Sequence, residues 1–233
     1  AGGEDAQGEA AQPQDGIERE VETVEEGIGG VAMEYNIRTS YGHGNIQALQ
    51  IIKEINGLEL KNEDNLIFNF KNYSENNPFS NLVIANTLRS LHGRYEDEVN
   101  MSLIPNEESY LSHLGFYAMI GARYGKELGY AKPSDNYVPI SKIQFEDDFY
   151  SHIEKKGRDL SALLKFDAGL QSCLQYVFIE TIRNVYEHAD INEVYVSAQK
   201  WLSKNLLEIA IADAGCGISK SLGRCVARRS KRK

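Results

Sequence analysis

Oxygen-bearing side chains and glycines in the last quarter of the sequence have the types and spacing needed to hold a nucleotide and its magnesium ion. Glu180 and Asn184 lie four residues apart. Asp213 begins an Asp-x-Gly-x-Gly turn that contains Gly215 and Gly217. Magnesium prefers oxygen ligands and is often bound through one or two side chains together with substrate phosphates. A carboxylate also accepts hydrogen bonds from amines, such as the exocyclic amine of adenine. These residues therefore predict a magnesium–nucleotide site.

The predicted helix that carries Glu180 and Asn184 has a polar face and an apolar face. Residues four apart lie on the same face of a helix, so these two side chains point the same way. Asn184 is the natural magnesium ligand, and Glu180 is the natural general base for a water or hydroxyl that attacks a phosphate. Glu187 and His188 lie one turn further along and are expected to contact the nucleotide. For His188, an equal alternative is to satisfy the last carbonyl groups of the helix.

The opposite stripe of this helix is apolar and would seal it onto a sheet. Its members recur at three- and four-residue intervals, which is typical of a buried helix face. They are Leu170, Cys173, Leu174, Val177, Phe178, Ile182 and Val185.

Two segments after the helix are predicted to form a β-hairpin. Apolar residues alternate over 194–198 and again over 207–211, with a polar turn at 203–205. Such a period of two is typical of strands with one buried face, and it places Asp213 at the edge of the sheet. The glycines that follow let the backbone turn sharply and approach a ligand closely.

The helix and the glycine turn resemble two motifs of the GHKL ATPase superfamily, which includes gyrase-type topoisomerases, heat-shock chaperones, mismatch-repair ATPases, sensor histidine kinases and anti-sigma serine kinases. ETIRNVYEHA looks like the asparagine box and IADAGCGI like the first glycine box, in wording closest to the bacterial histidine-kinase and anti-sigma branch. The resemblance implies Glu180 as the general base, Asn184 as the magnesium ligand and Asp213 as the residue that recognises the adenine amino group. Gly215 and Gly217 match the box glycines. It implies ATP and Mg²⁺ as cofactors, and a partial Bergerat-type α/β sandwich made of a helix and a β-hairpin.

Each motif also has an ordinary structural interpretation. A Glu-x-x-x-Asn pair on a helix is usually a solvated face, and Asp-Ala-Gly-Cys-Gly can be a turn that ends a strand. The two motifs together, in order and separated by a hairpin, favour nucleotide binding.

The sequence departs from the superfamily after the first glycine box. Members continue into a flexible lid and a second glycine-rich box around the phosphates, and this sequence contains no second glycine-rich loop. We therefore expect a truncated or frame-altered form of a larger ATPase or protein kinase, which binds ATP weakly if at all. Whether this chain is itself an enzyme stays open.

The region from about Tyr41 to Pro139 alternates predicted strands and helices. Strands are expected at 65–70 and 98–104, and helices at 80–91 and 107–124. This alternation favours an α/β layer structure with helices packed on a sheet.

The same region is similar to the STAS-like fold of anti-sigma-factor antagonists. The similarity lies in LIFNFKNYSENNPFSNLVIANTLRSL followed by VNMSLIPNEESYLSHLGFYAMIG. In that family a strand leads into a helix whose N-terminus bears a phosphorylatable serine. Ser80 falls near that position, although Asn81 and Leu82 replace the small residues that usually follow. The alternative for Ser80 is a plain N-cap of the helix.

The fold class predicted for the whole chain is α/β (α+β), in five segments. They are an acidic extension (1–32), the STAS-like domain (33–139), a partly helical linker (140–165), the partial GHKL domain (166–222) and a basic tail (223–233). The extension is expected to be disordered or to form a single loose helix around 17–24. His152 of the linker lacks the flanking pattern of a phosphoacceptor and is expected to be exposed.

Charge and composition exclude several classes of function. The formal net charge is −9, and an acidic body argues against nucleic acid as a primary partner. The basic tail could contact nucleic acid or an anionic membrane, but a short run of this kind is more often a solvated end. No run of apolar residues is long enough to span a membrane. The three cysteines have neither zinc-ligand spacing nor an even count, which favours a reducing cytoplasm.

Two functional classes remain. In the first, the chain is an ATP-binding signalling or stress-response protein whose STAS-like unit docks a regulatory protein partner. In the second, it is a non-catalytic interaction module that resembles anti-sigma-factor antagonists.

Overall fold

The protein is a mixed α/β structure with two small sheets, and the predicted general class is confirmed. The computed structural model describes residues 17–20, 32–38, 44–61, 64–73, 77–95, 100–106, 110–122, 124–128, 130–145, 149–163, 167–217 and 220. Its strands are β1 (Ile17–Glu20), β2 (Ala32–Ile37), β3 (Asn65–Asn69), β4 (Asn100–Ile104), β5 (Tyr137–Gln144), β6 (Glu193–Trp201) and β7 (Leu206–Ala212). Its α-helices are α1 (Gly44–Asn56), α2 (Pro78–Arg94), α3 (Tyr110–Leu114), α4 (Phe116–Met119), α5 (Phe149–Leu163) and α6 (Ala168–His188).

The first sheet has the order β1-β2-β3-β4, and its last three strands are parallel. Parallel neighbours need a crossover, which α1 supplies between β2 and β3 and α2 supplies between β3 and β4. Leu66 and Phe68 of β3 are fully buried beneath these helices. The predicted alternation of strand and helix in this region is confirmed, although β2 and α1 were not singled out from the sequence.

Strand β1 lies where the sequence predicted disorder or a loose helix. It pairs antiparallel with β2, from Ile17 opposite Ile37 to Glu20 opposite Glu34. That prediction is wrong for these four residues because pairing with an open sheet edge satisfies backbone groups that a short, charged segment cannot satisfy alone. Positions 1–16 and 21–31 of the expected extension lie outside the described residues, as do positions 221–233, which include the basic tail.

The single helix predicted over 107–124 is divided into α3 and α4. Gly115 separates them with φ 86°, a left-handed conformation that ends a helix and that glycine adopts without steric cost. The predicted start of this helix, at 107–109, lies outside the described residues.

Helix α2 is capped by Asn77, so the prediction of Ser80 as the N-cap is wrong. The Asn77 side chain accepts a hydrogen bond from the Ser80 N–H, and Pro78 occupies the first turn, where a missing N–H costs nothing. Ser80 is only 1% exposed, and its hydroxyl donates to the Asn45 side chain at 3.3 Å. A kinase has no access to that hydroxyl in this conformation.

The second sheet is antiparallel, with the order β5-β6-β7, and the predicted hairpin is confirmed as β6 and β7. The interval 140–165, expected to be a partly helical linker, instead supplies most of β5 and all of α5 to this unit. The strand was not predicted because the sequence of this interval is mixed in charge. That mixture reflects the partly exposed face of β5. The side chain of His152, on α5, lies outside the described residues.

Only the second half of α6 is buried against the sheet, so the predicted apolar stripe is wrong for its first half. Phe178, Ile182 and Val185 join the core formed by the inner faces of β5 and β6. Leu170 and Val177 are 41% and 53% exposed, and Cys173 is also exposed. Leu174 is partly exposed. A periodic pattern shows which face of a helix is apolar but not how far its partner extends.

Helix α2 joins the two units, because it packs on both sheets. Tyr195, Ala210 and Ala212 of the second sheet belong to the same buried cluster as the core of the first. The Glu208 carboxylate of β7 accepts hydrogen bonds from the Phe79 N–H and the Asn77 side chain, each at 2.8 Å. This carboxylate lies at the positive end of the α2 helix dipole, which it complements.

Within the described residues, the helices are too short or too polar for any of them to cross a bilayer.

Truncation of Ile182 and of Val177 to alanine distinguishes the buried from the exposed half of α6. We expect Ile182→Ala to lower the free energy of unfolding by about 2–5 kcal/mol, because Ile182 is 0% exposed and its loss leaves a cavity. We expect Val177→Ala to change it by roughly 0.5 kcal/mol or less, because that side chain is mostly in solvent. Urea unfolding followed by circular dichroism measures both, and equal losses would contradict the assignment.

Candidate functional site

The glycine turn predicted to bind the nucleotide directly follows β7. The Gly215 N–H donates to Oδ1 of Asp213 at 2.8 Å, a local bond that orients the carboxylate. Gly217 has φ +72°, in the left-handed region that favours glycine. We call residues 213–217 the glycine loop.

The glycine loop lies against the C-terminal end of α6, at Ala189. A Cβ atom added to Gly215 would lie 2.4 Å from Cβ of Ala189 and 2.5 Å from its carbonyl oxygen, closer than any real side chain tolerates. The Cys216 N–H donates to that same carbonyl at 2.8 Å, and Cys216 Sγ lies 3.3 Å from the carbonyl of His188. The structure therefore brings together the asparagine-box helix and the glycine-box loop.

Glu180 and Asn184 lie on the side of α6 away from the sheet. Phe178 and Ile182 define the buried side, and Glu180, two residues from each, points about 200° away around the axis. Asn184 is exposed, and Glu180 is partly exposed. Measured along the helix, Asn184 precedes Ala189 by about 7.5 Å and Glu180 precedes it by about 13.5 Å.

The acidic side chains of this outer face are held by ion pairs. Glu180 pairs with the Arg183 guanidinium, whose Nε also lies 3.8 Å from Oε1 of Glu187. The Tyr150 hydroxyl donates to Glu187 at 3.3 Å, and His188 Nε2 lies 3.9 Å from the other oxygen of Glu187. Exposed pairs of this kind contribute little free energy, so a ligand can displace them.

His188 does not take the helix-end role that its position allowed. Its side chain is 53% exposed, and the carbonyls of residues 188 and 189 at the end of α6 accept hydrogen bonds from Cys216 instead. The ligand-contact role for His188 stays a prediction.

A cavity of about 660 Å³ lies beside the glycine loop, between α2, the end of α6 and β6. It is lined by Arg89, Tyr186, Asp190, Ile191, Asn192, Glu193, Tyr195 and Ala214. Ala214 of the glycine loop therefore lines this cavity, whereas Glu180, Asn184 and Asp213 do not.

The wall of this cavity is a charge cluster that the sequence did not indicate. The Glu193 carboxylate pairs with Arg89 of α2, and Lys142 Nζ of β5 lies 3.2 Å from it. The Arg89 guanidinium also lies 5.0 Å above the Tyr195 ring. These residues come from three distant segments, and none forms a local motif.

Helix α2 also contacts the glycine loop itself. The Asn86 side-chain N–H donates to the Asp213 carbonyl at 2.7 Å, across 127 residues of sequence. The sequence contained no signal for this contact, because a single asparagine on an amphipathic helix has no distinguishing spacing.

In the part of the chain that the structure describes, no group of three or more His, Cys, Asp or Glu side chains could hold a metal ion. A magnesium ion bound through Asn184 would therefore take most of its ligands from phosphates and water, which is usual for magnesium with nucleotides. The exposed amide of Asn184 fits that arrangement.

Comparison of this chain with known protein families, with curated proteins and with solved structures finds no match.

Substitution of Gly215 by alanine tests the contact with Ala189. We expect Gly215→Ala to lower the free energy of unfolding by about 1–3 kcal/mol, because the added methyl group overlaps Ala189. Gly93→Ala in α2 is the control. Nothing lies within 4 Å of its added Cβ, so helix propensity should raise stability by up to about 1 kcal/mol. Urea unfolding gives both values, and a neutral Gly215→Ala would contradict the tight contact.

Acid should weaken the contact between α2 and the second sheet through Glu193. Burial alone would raise its pKa, but the hydrogen bond from Lys142 and the charge of Arg89 outweigh burial and hold the pKa below its usual value of 4.5. A lowered pKa in the folded state means stability that is present above about pH 4.5 and is lost as the pH falls through the lower folded value.

Glu193→Gln should therefore cost no more than about 1 kcal/mol at neutral pH, since the paired side chains are partly exposed. The difference from the wild type should shrink as the pH is lowered toward about 3. Unfolding in urea across this range is the measurement, with Glu127→Gln at an exposed position as control. A difference that is constant with pH would refute the assignment.

Proposed function

We propose that this chain carries the adenine-recognition and magnesium-binding part of a GHKL-type ATP site, in an ATP-binding signalling or stress-response protein. The contact between Gly215 and Ala189 carries this proposal, because it joins the two sequence motifs that the superfamily uses for one nucleotide. An ordinary strand-ending turn does not require an end-on packing of its glycine against a helix.

The local bonding of Asp213 supports its role toward adenine. One carboxylate oxygen is engaged by the Gly215 N–H, and this bond fixes the orientation of the group. The second oxygen then remains to accept a hydrogen bond from the exocyclic amine of the base. Asp213 is partly buried, so that bond would be less exposed to competition from water than a bond at the surface.

The order of groups along α6 matches the order of groups in a nucleotide. The glycine loop, at the end of the helix, would take the base. Asn184, about 7.5 Å back along the axis, would meet the phosphates and their magnesium ion, which neutralises phosphate charge. Glu180, about 6 Å further, is at the height where a general base for a water or hydroxyl is needed.

The first unit would serve as the STAS-like docking module for a regulatory protein partner. Its parallel strands with α1 and α2 as crossovers are compatible with that proposal. The burial of Ser80 favours docking through surface shape over phosphorylation at this position.

A second candidate function is a non-catalytic interaction module, and one observation favours it. The outer face of α6 pairs Glu180 with Arg183 and also exposes apolar side chains, with Tyr176 64% and Val177 53% exposed. An exposed apolar patch of this kind often marks a protein-binding surface.

Titration calorimetry with Mg·ATP tests the proposed function. We expect a Kd between about 10 µM and 1 mM, roughly −7 to −4 kcal/mol, because two motifs alone provide few phosphate contacts. Asp213→Asn keeps the acceptor for the Gly215 N–H but replaces the second oxygen by a donor. It should weaken ATP about tenfold or more while affinity for GTP, with a carbonyl at the same position, is retained or improved.

Asn184→Ala should remove the effect of magnesium, so that ATP binds equally with and without the ion. Asn136→Ala is the matched control, because this exposed asparagine lies at the opposite end of the second sheet and should leave both values unchanged. No binding of ATP at several millimolar would overturn the proposal and favour the interaction module.

A further inference from the structure

We infer that Asn86, on α2 of the first unit, is a positioning residue for the glycine loop, so that selectivity for adenine depends on how α2 is docked. This inference rests on the proposed function for its nucleotide part. Its structural part, that Asn86 holds the loop, does not.

Asn86 and Gly215 together fix the backbone carbonyl and the carboxylate of Asp213. The Asn86 side chain donates to the backbone carbonyl of Asp213 at 2.7 Å. The carboxylate of Asp213 is held at 2.8 Å by the Gly215 N–H. With the peptide plane and the side chain both anchored, the free carboxylate oxygen has one direction in which to meet a base.

Packing alone does not explain an amide at position 86. Its Oδ1 is buried and has no hydrogen-bond partner among the residues that the structure describes. Burying an unsatisfied polar atom is unfavourable, and a leucine of similar size would avoid that cost. The gain from the amide is therefore its one bond, to the carbonyl of Asp213.

The rest of α2 makes that bond sensitive to docking. On either side of Asn86, Phe79 donates its N–H to Glu208 and Arg89 pairs with Glu193. Residues 79, 86 and 89 are spaced by seven and three, so they share one face of the helix. A shift of α2 on the second sheet would move the Asn86 amide and, with it, the carbonyl of Asp213.

Hydrogen exchange of the full chain without nucleotide is the first test. In Asn86→Leu, the amides of Gly215 and Cys216 should exchange about five- to tenfold faster, since a typical hydrogen bond is lost at the neighbouring peptide. Amides in α1 should keep their rates, which shows that the variant is folded. Asn136→Ala, an exposed position at the opposite end of the second sheet, is the control and should leave exchange at Gly215 and Cys216 unchanged. Unchanged exchange at Gly215 and Cys216 would overturn the inference.

Base selectivity is the second test, and it separates positioning from general stability. Asn86→Leu should reduce the preference for Mg·ATP over Mg·GTP about five- to tenfold while leaving the affinity for magnesium tripolyphosphate unchanged. An equal loss for all three ligands would mean a structural role only and would overturn the inference. If Asn86→Leu fails to fold, Asn86→Ala gives the same comparison without added bulk.

The two tests fail in different ways. If the wild type binds none of the three ligands, the proposed function is refuted and selectivity is no longer an issue, while the exchange rates still decide whether Asn86 holds the loop. If the wild type prefers ATP and Asn86→Leu does so equally, the proposed function stands and the inference is refuted.

Discussion

The contact between Gly215 and the end of α6 is the constraint on which the candidate site depends. It holds a loop from the second sheet against a helix from the layer above, at a distance that only glycine permits. Every proposed role follows from that placement, because it sets Asp213 at one end of the helix and Asn184 and Glu180 at increasing distances from it. Without this contact, the two motifs would be unrelated features of a helix and a turn.

The second determinant is that α2 packs against both sheets. One side of this helix packs on the first sheet and the other side packs on β6 and β7, so residues of both sheets form one buried cluster. Polar contacts also join α2 to the second sheet and the glycine loop. Glu208, Asp213 and Glu193 each accept a hydrogen bond from a residue of α2. The glycine loop is consequently supported by α6 on one side and by the first unit on the other.

Local sequence patterns predicted the elements better than the contacts between them. The hairpin and the strand at β3 have clear periods of two, and α2 has a clear helical pattern, so these were predictable. β5 was not, because its alternation is weak and only pairing with β6 makes it a strand. The stripe on α6 was predicted too long, since its periodicity continues past the edge of its partner. The bond from Asn86 to Asp213 depends on a docking geometry that no local spacing encodes.

A helix shared by two sheets has a consequence for how separable the halves of this molecule are. Separation of the chain near residue 139 would expose Tyr195, Ala210 and Ala212 to solvent. It would also leave the Glu208 carboxylate of β7 without its hydrogen bonds from α2. We therefore expect each half to lose stability when it is separated from the other. A substitution in α2 therefore has to preserve packing on both sheets at once.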